Sequence, residues 1–294
     1  MDREEILDLF QHITVWKKGD QRAPHKPLLL LIMLARVQQG NDRLASYDEI
    51  EEPLEKLLIE FGPSRKSIHP ELPFWYLQYD DLWELSTDAP FRKRPNNRQP
   101  SPKEFRDMDA HAGFRQDIYS HFYHHPTDLT SAAQELLYQH FPSTLHEDIA
   151  DQIGLDLSTE REKQLVSRTV RDPAFRQAVL AAYEYRCAVC SWDIRIGDTP
   201  VGLEAAHIKW VQAGGPDVVP NGLSLCSLHH KLLDRGAITL TPEYRMIISE
   251  QAVGDCSLET QLPYHQNPIV LPVDHREYPD QIYLEWHRME VYRG

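Results

Sequence analysis

Two pairs of metal-ligand residues constrain this chain more than any other feature of its sequence. Two residues separate Cys187 from Cys190, and two separate Cys226 from His229. This spacing lets both side chains of a pair reach one ion, and four sulfur and nitrogen ligands suit tetrahedral Zn²⁺. Because the protein would fill all four positions, we expect the zinc to be structural. A fourth cysteine, Cys256, is left over, so the pattern favours metal binding over a disulfide scaffold.

The 35 residues between Cys190 and Cys226 are more than a small zinc finger needs, so a second motif is embedded there. His207 ends an apolar, strand-like segment, Asn221 lies in a turn, and His230 begins a predicted helix. Hydrolysis of a phosphodiester needs an activated water and a cation that neutralises developing charge. One histidine can accept the proton of the water and another can hold the cation, while the asparagine can fix the loop between them. Strand, loop and helix with these residues form the layout of a ββα-metal nuclease.

Residues 185–240 resemble the McrA-like HNH endonucleases. The resemblance implies that His207 is the general base, that Asn221 orients it and that His230 binds a catalytic Mg²⁺ or Mn²⁺. Many HNH enzymes carry Asp or His directly before the base as a second metal ligand, and Ala206 occupies that position here. Two nearby carboxylates remain candidates for the second ligand: Glu204 and Asp234.

The bulk composition bounds the classes of protein to consider. A length of 294 residues favours two domains, and we predict them at 1–150 and 151–294. We find no uninterrupted apolar run of about 18 residues, so we expect no membrane span. The acidic, polar N-terminal segment lacks the pattern of a secretory signal, which predicts a cytoplasmic protein. A net charge of −14 argues against broad, nonspecific nucleic-acid binding but allows a local basic site.

Hydrophobic periodicity predicts an α+β protein. The first domain should be mainly helical with a small hairpin or sheet, and the second should contain the ββα-metal motif with its zinc. The most apolar helix, 27–40, should be central and buried. We predict a β-hairpin over 73–85, find no strong period over 142–166, and expect short strands with Pro-rich turns in 237–294. The other predicted helices cover 3–17, 46–62 and 128–140.

Three stretches of the first half combine cations with apolar residues: RAPHKPLLLL (22–31), HPELPFWYL (69–77) and RKRPNNRQP (92–100). Arg22, His25 and Lys26 precede the central helix, where positive side chains and free backbone N–H groups suit a phosphate. Ordinary phosphate oxygens require hydrogen-bond donors, whereas an apolar pocket favours a poorly hydrated atom such as sulfur.

These stretches resemble the sulfur-binding domains of phosphorothioate-dependent type IV restriction endonucleases, which carry a C-terminal HNH domain. The resemblance covers about residues 10–115. It implies that the chain binds phosphorothioated double-stranded DNA and hydrolyses it nearby. Leu72 stands where the family often has Tyr. The implied backbone contacts are His25, Lys26 and Arg98, and the implied pocket residues are Leu72, Pro73 and Tyr76.

Two other functions remain open from the sequence. One is an HNH nuclease that reads a methylated or hydroxymethylated base, which would need an aromatic cage for which Trp75 and Trp83 are candidates. The other is a non-catalytic zinc module that binds a partner. Since each chain has one HNH motif, a break in both DNA strands would imply a homodimer.

Overall fold

The computed structural model describes residues 3–16, 19–91, 98–157 and 173–294. The chain divides into two compact units, one formed by residues 1–18 and 22–160 and the other by residues 19–21 and 161–294. The proposed division between residues 150 and 151 lies within the helix Ser143–Ile153, which belongs to the first unit. In the described ranges, no helix combines the length and the apolar character needed to cross a bilayer.

The first unit is mainly helical and contains one small sheet, so the α+β prediction is confirmed. Its antiparallel sheet has the order β1-β3-β2. The strands are β1 (Leu44–Ser46), β2 (Trp83–Ser86) and β3 (His111–Phe114). The helices are α1 (Arg3–Gln11), α2 (His25–Gln38), α3 (Tyr47–Phe61), α4 (Glu71–Tyr76), α5 (Pro102–Asp107), α6 (Gln116–His124), α7 (Pro126–His140) and α8 (Ser143–Ile153).

Helix α2 is the centre of this unit, as its apolar sequence predicts. Ten of its fourteen residues are buried, and it contacts α3, α4, α6, α7 and α8. A helix that is apolar on all sides can be stable only where other elements cover it all round. The N-terminus of α2 is therefore fixed by a rigid core.

The segment predicted as a β-hairpin over 73–85 was interpreted wrongly in its first half. Residues 71–76 form helix α4, a 3₁₀ turn follows, and only Trp83–Ser86 is a strand. Pro70 precedes the helix and Pro73 lies in its first turn, where the missing N–H costs no helical hydrogen bond. Phe74 and Leu77, three residues apart, are fully buried. The fully buried residues of this segment thus follow helical spacing.

Three further sequence expectations differ from the structure. The first helix ends at Gln11, and Trp16 beyond it is 59% exposed. Helix α8 lies in a segment whose sequence shows no strong hydrophobic period. The period is weak because only three of its residues are buried: Leu145, Ile149 and Ala150. In the tail, Gln281–Glu290 forms a helix whose buried face includes His287, hydrogen-bonded through Nδ1 to Thr239 Oγ1 at 2.8 Å. Because polar residues also lie on its buried face, the hydrophobic period of this helix is not evident in the sequence.

The second unit surrounds an antiparallel strand pair, β6 with β7. Its strands are β4 (Arg195–Ile196), β5 (Thr199–Pro200), β6 (Leu203–His207), β7 (Gly222–Cys226), β8 (Ile238–Leu240) and β9 (Met246–Ile248). Its helices are α9 (Pro173–Ala182), α10 (Ser227–Asp234), α11 (Cys256–Glu259) and α12 (Gln281–Glu290). The order β6, loop, β7, α10 is the ββα layout expected from the sequence.

Gly222 explains how helix α9 lies directly on the strand pair. A Cβ atom at Gly222 would come within 2.4 Å of Val179 and 3.1 Å of Phe175, both on α9. Gly222 lies opposite His207 in the register. The glycine therefore allows α9 to approach the end of strand β6, where the candidate base is located.

Helix α3 offers a test of the local signals that start a helix. Ser46 Oγ accepts a hydrogen bond from Glu49 N at 3.3 Å, and Glu49 Oε2 accepts one from Ser46 N at 2.8 Å. Because this reciprocal capping box satisfies two helix-end donors, Ser46→Ala should lower the free energy of unfolding by about 1 kcal/mol. Urea denaturation would measure the loss. Ser64→Ala, at an exposed loop position, is the control, and equal stability of both variants would contradict the prediction.

Candidate active site

The two predicted ligand pairs come together at one place in the second unit. The ligand atoms of Cys187, Cys190, Cys226 and His229 lie within 4.8 Å of one another. Cys190 Sγ and Cys226 Sγ are 3.9 Å apart, far beyond a disulfide bond of about 2.05 Å. In a tetrahedron with Zn–S bonds near 2.3 Å, the ligands would stand about 3.8 Å apart. The group therefore has the dimensions of a four-coordinate metal site.

The histidine of this group is held by a second contact. His229 Nδ1 lies 3.2 Å from Cys226 Sγ and 3.6 Å from Cys187 Sγ. Its other nitrogen, Nε2, lies 2.8 Å from Gln261 Oε1. A metal-binding histidine generally donates its second N–H to an oxygen, which fixes the tautomer and the ring orientation. Gln261, which sequence reasoning missed, supplies that oxygen from 32 residues away.

Asn221 joins the two ends of the loop between strands β6 and β7. Its Oδ1 accepts from Lys209 N at 2.9 Å, and its Nδ2 donates to Lys209 O at 3.0 Å and to Pro216 O at 3.0 Å. The side chain is fully buried, and these contacts use both of its polar atoms. A Cβ atom at Gly215 would lie 1.9 Å from Lys209 O, so only glycine allows this close approach. Asn221 thus ties together the two ends of the loop that follows the candidate base.

His207 stands at the end of strand β6, beside this loop. Its ring stacks on Phe175 with centroids 4.1 Å apart and an interplanar angle of 14°. Its Nε2 lies 2.7 Å from Asp217 Oδ1. The histidine side chain remains 14% exposed, so it borders the surface of the unit. The sequence showed neither partner, because one is in helix α9 and the other is ten positions along the loop.

His230 lies between two carboxylates. Its Nδ1 is 2.6 Å from Glu204 Oε2, and its Nε2 is 3.2 Å from Asp234 Oδ2. Burial lowers the pKa of His230, but Asp234 and Glu204 outweigh this effect and raise the pKa to about 9. Asp234 is nearly enclosed, with 2% of its side chain exposed, whereas Glu204 is 34% exposed. Both carboxylates that the sequence offered as second metal ligands therefore contact His230.

In the first unit, the three candidate DNA contacts at the start of α2 already have partners or no charge: Arg22 before the helix, and His25 and Lys26 in its first turn. Lys26 forms an ion pair with Asp80 in which both side chains are largely buried. Arg22 donates to the Phe61 carbonyl. Burial, together with the nearby His69 and Arg65, lowers the pKa of His25 to about 4, so this imidazole is neutral at neutral pH. The N-terminus of α2 is less positive than its sequence implies.

Helix α4 brings the candidate pocket residues onto one face. Positions 72, 73 and 76 stand at i, i+1 and i+4 of the chain, and residues three and four apart are neighbours on a helix. Pro73 is buried, while Leu72 and Tyr76 are partly exposed. Tyr76 Oη donates to Gln99 Oε1 at 3.3 Å, which places the exposed Arg98 beside this helix. Arg92, Lys93 and Arg94 of the same basic stretch lie outside the described residues.

The two tryptophans offered as a base-reading cage do not face each other across an opening. Trp83 is 4% exposed, and its Nε1 donates to Phe74 O at 3.1 Å. Trp75 packs edge-on against Phe91, with ring centroids 5.4 Å apart. Trp83 is a core residue, so the aromatic-cage alternative has no support from these residues.

Two different family models match the chain, one in each of the two units. The model of the ScoMcrA-like DNA sulfur-binding domain matches residues 3–158, more than half of the chain. The chain belongs to the ScoMcrA-like DNA sulfur-binding domain family. The model of the HNH endonuclease family matches residues 187–241. Both resemblances drawn from the sequence are confirmed, and the chain joins a sulfur-binding domain to an HNH endonuclease domain.

Solved structures include similar domains. The sulfur-binding domain of ScoMcrA complexed with phosphorothioated DNA is 23% identical, with a TM-score of 0.45, covering 52% of this chain and 98% of that one. The corresponding SprMcrA domain, also complexed with phosphorothioated DNA, is 18% identical, with a TM-score of 0.45 and coverages of 53% and 95%. The type IV phosphorothioation-dependent restriction endonuclease ScoMcrA is 22% identical, with a TM-score of 0.41 and coverages of 50% and 28%. No curated protein matches the chain.

The metal group of the HNH domain generates a direct test. Cys190→Ala should reduce the bound metal from about one ion per chain to near zero and lower the melting temperature, because a structural ion contributes to folding. Elemental analysis and a thermal melt would measure both effects. Cys256→Ala removes the cysteine outside the group and serves as the matched control. Equal metal content in the two variants would contradict the assignment.

Proposed function

We propose that this protein is a modification-dependent DNA endonuclease that binds phosphorothioated double-stranded DNA through its first domain and hydrolyses it with its HNH domain. One observation carries the proposal: the chain joins a sulfur-binding domain to a nuclease motif in which His207 and Asn221 lie at one end of the β6–β7 strand pair and His230 lies on the helix that follows it. Related domains occur in complexes with phosphorothioated DNA.

The chemistry of the first domain supports selection of sulfur. Helix α4 presents Leu72 and Pro73 on the same face as Tyr76, whereas an extended strand would point residues 72 and 73 to opposite sides. An apolar surface penalises a well-hydrated phosphate oxygen more than a sulfur atom, because the oxygen loses hydrogen bonds to water. The proposed pocket therefore discriminates by the cost of desolvation. Arg98, tethered through Gln99 to Tyr76, supplies a nearby cation for the backbone.

The start of α2 would then position the DNA rather than attract it by positive charge. This applies to three residues: Arg22, His25 and Lys26. Lys26 is neutralised by Asp80, and a neutral His25 can still donate one hydrogen bond to a phosphate oxygen. The N–H groups of the first turn of α2 add donors, since no side chain caps this end. These contacts would position the DNA, while the α4 face would select the modification.

In the HNH domain, we propose that His207 takes the proton from the attacking water. Its stacking on Phe175 and its place at the end of β6 hold the partly exposed imidazole at the border of the unit's surface, where a phosphate would bind. Asn221 keeps the loop beside it in one conformation. A histidine is suited to this role because its neutral form accepts a proton near neutral pH.

His230 and Glu204, 2.6 Å apart, would hold a divalent ion, Mg²⁺ or Mn²⁺, which on binding would displace the proton that the two carboxylates keep on the imidazole. Glu204 lies on the same face of β6 as Ala206, the position where many HNH enzymes carry their second ligand. It is the more exposed of the two carboxylates, while the enclosed Asp234 holds the other nitrogen of the ring. The bound ion would neutralise charge on the phosphate and the leaving oxygen.

His207 and Glu204 lie on opposite faces of strand β6, because they are three positions apart in an alternating strand. The Cys₃His group would hold a structural Zn²⁺, since all four positions are filled by protein. The ion would anchor helix α10, which carries His229, to the end of strand β7, which carries Cys226. A homodimer for double-strand cleavage stays a prediction.

The sulfur-selective pocket is tested with matched duplexes. We expect tighter binding to an Rp-phosphorothioated duplex than to plain or methylated duplexes of the same sequence, measured by fluorescence anisotropy. Leu72→Ser should reduce the preference for sulfur roughly tenfold, with little change for plain DNA. Ile59→Ser, at an exposed apolar position of α3, is the control. Equal affinity of the wild-type protein for all three duplexes would refute the proposed recognition.

Two variants separate proton transfer from metal binding in the HNH domain. His207→Ala should abolish cleavage of phosphorothioated plasmid but retain Mn²⁺ binding, because the base is not a ligand. Glu204→Gln should weaken Mn²⁺ binding by roughly 10- to 100-fold and slow cleavage at low Mn²⁺. Calorimetric titration and a nicking assay would measure the two effects. Cleavage at the wild-type rate by His207→Ala would exclude His207 as the base.

A further inference from the structure

We propose that Asp217 is the positioning residue of the HNH base: it holds Nε2–H of His207, so that the lone pair that accepts a proton is on Nδ1. The proposal rests on the proposed role of His207 in hydrolysis. It starts from the 2.7 Å contact between His207 Nε2 and Asp217 Oδ1. A carboxylate oxygen accepts hydrogen bonds, so the nitrogen that it contacts carries the proton, and a neutral imidazole then has its lone pair on the other nitrogen.

The position of Asp217 is determined by the loop rather than by chance contact. Asn221 Nδ2 donates to Pro216 O at 3.0 Å, directly before Asp217. Val218 N donates to the same carbonyl at 3.0 Å, and Asn221 N donates to Val218 O at 2.9 Å. The residues on both sides of Asp217 are thus tied to Asn221. The carboxylate is presented to His207 by a turn with little freedom to move.

Two restraints of different kinds then define the orientation of the imidazole. Stacking on Phe175 at 4.1 Å and 14° sets the plane of the ring. The contact with Asp217 sets which edge of the ring faces the loop. The stacking alone would not distinguish Nδ1 from Nε2 as the reactive atom, because it sets neither the tautomer nor a half-turn of the ring about its Cβ–Cγ bond. Asp217 removes that ambiguity.

The arrangement also clarifies how Asn221 acts on a histidine that it does not touch. Its hydrogen bonds reach Lys209, two residues after the base, and Pro216, one residue before Asp217. Asn221 therefore controls both the strand end that carries the imidazole and the carboxylate that holds it. A carboxylate beside a histidine also stabilises the imidazolium that forms when the ring accepts a proton, as in other carboxylate–histidine pairs.

The proposal predicts distinct effects for variants of the full-length protein. Asp217→Ala should change the ¹⁵N chemical shifts of the His207 ring from those of the Nε2–H tautomer to those of a mixture. It should lower kcat roughly 100-fold without changing KM, the affinity for phosphorothioated DNA or metal content. Asp217→Glu, which keeps a carboxylate, should recover part of the loss. Asp198→Ala removes an exposed aspartate from the turn between β4 and β5 and should behave as the wild type.

The outcomes distinguish this proposal from the proposed function. If Asp217→Ala retains both the wild-type tautomer of His207 and the wild-type kcat, Asp217 does not position the base. If kcat rises instead, Asp217 restrains the histidine and the proposal is overturned. If the wild-type protein does not cleave phosphorothioated DNA, the proposed function fails, whereas the tautomer measurement still tests the contact between Asp217 and His207. Assignment of the His207 signals would use His207→Gln.

Discussion

The hydrogen bonds of Asn221 are the constraint on which the candidate active site depends. The side chain is fully buried, and its two polar atoms make three hydrogen bonds to the backbone of Lys209 and Pro216. A buried amide without partners would cost about 1–3 kcal/mol, so the loop adopts the conformation that satisfies it. Gly215 makes this conformation sterically accessible. The conformation of the loop is therefore determined by the side chain of Asn221 at its C-terminal end.

The strand that carries the candidate base separates two sets of interactions. On one face, His207 meets Phe175 from α9; on the other, Glu204 meets His230 from α10. Alternation along β6 produces this division without any special backbone geometry. Gly222 makes one face accessible to α9, and Ala206 lies beside Glu204 on the other. A short strand pair can thus place a base and a metal ligand close along the chain but chemically apart.

The sequence predicted the parts of this protein that depend on local pattern. Helix α2 follows from its continuous apolar run, and the metal group follows from two matched spacings. The helix at Pro73 was missed, because aromatic residues favour strands and proline is usually read as a helix breaker, although a first-turn proline costs nothing. The contacts of His207 with Phe175 and Asp217 could not be predicted, because no spacing rule relates residues that meet only through tertiary packing.

The charge distribution of the sulfur-binding domain fits recognition by desolvation better than recognition by charge. Lys26 is compensated by Asp80 within the domain, and burial keeps His25 neutral. Cations that are already paired release fewer counterions when DNA binds, so they contribute less nonspecific affinity. A chain with a net charge of −14 would gain little from attraction to the phosphate backbone. When nonspecific electrostatic attraction to the DNA is weak, the burial of one sulfur atom contributes a larger fraction of the binding free energy. Sulfur-bearing DNA is therefore selected more strongly over plain DNA.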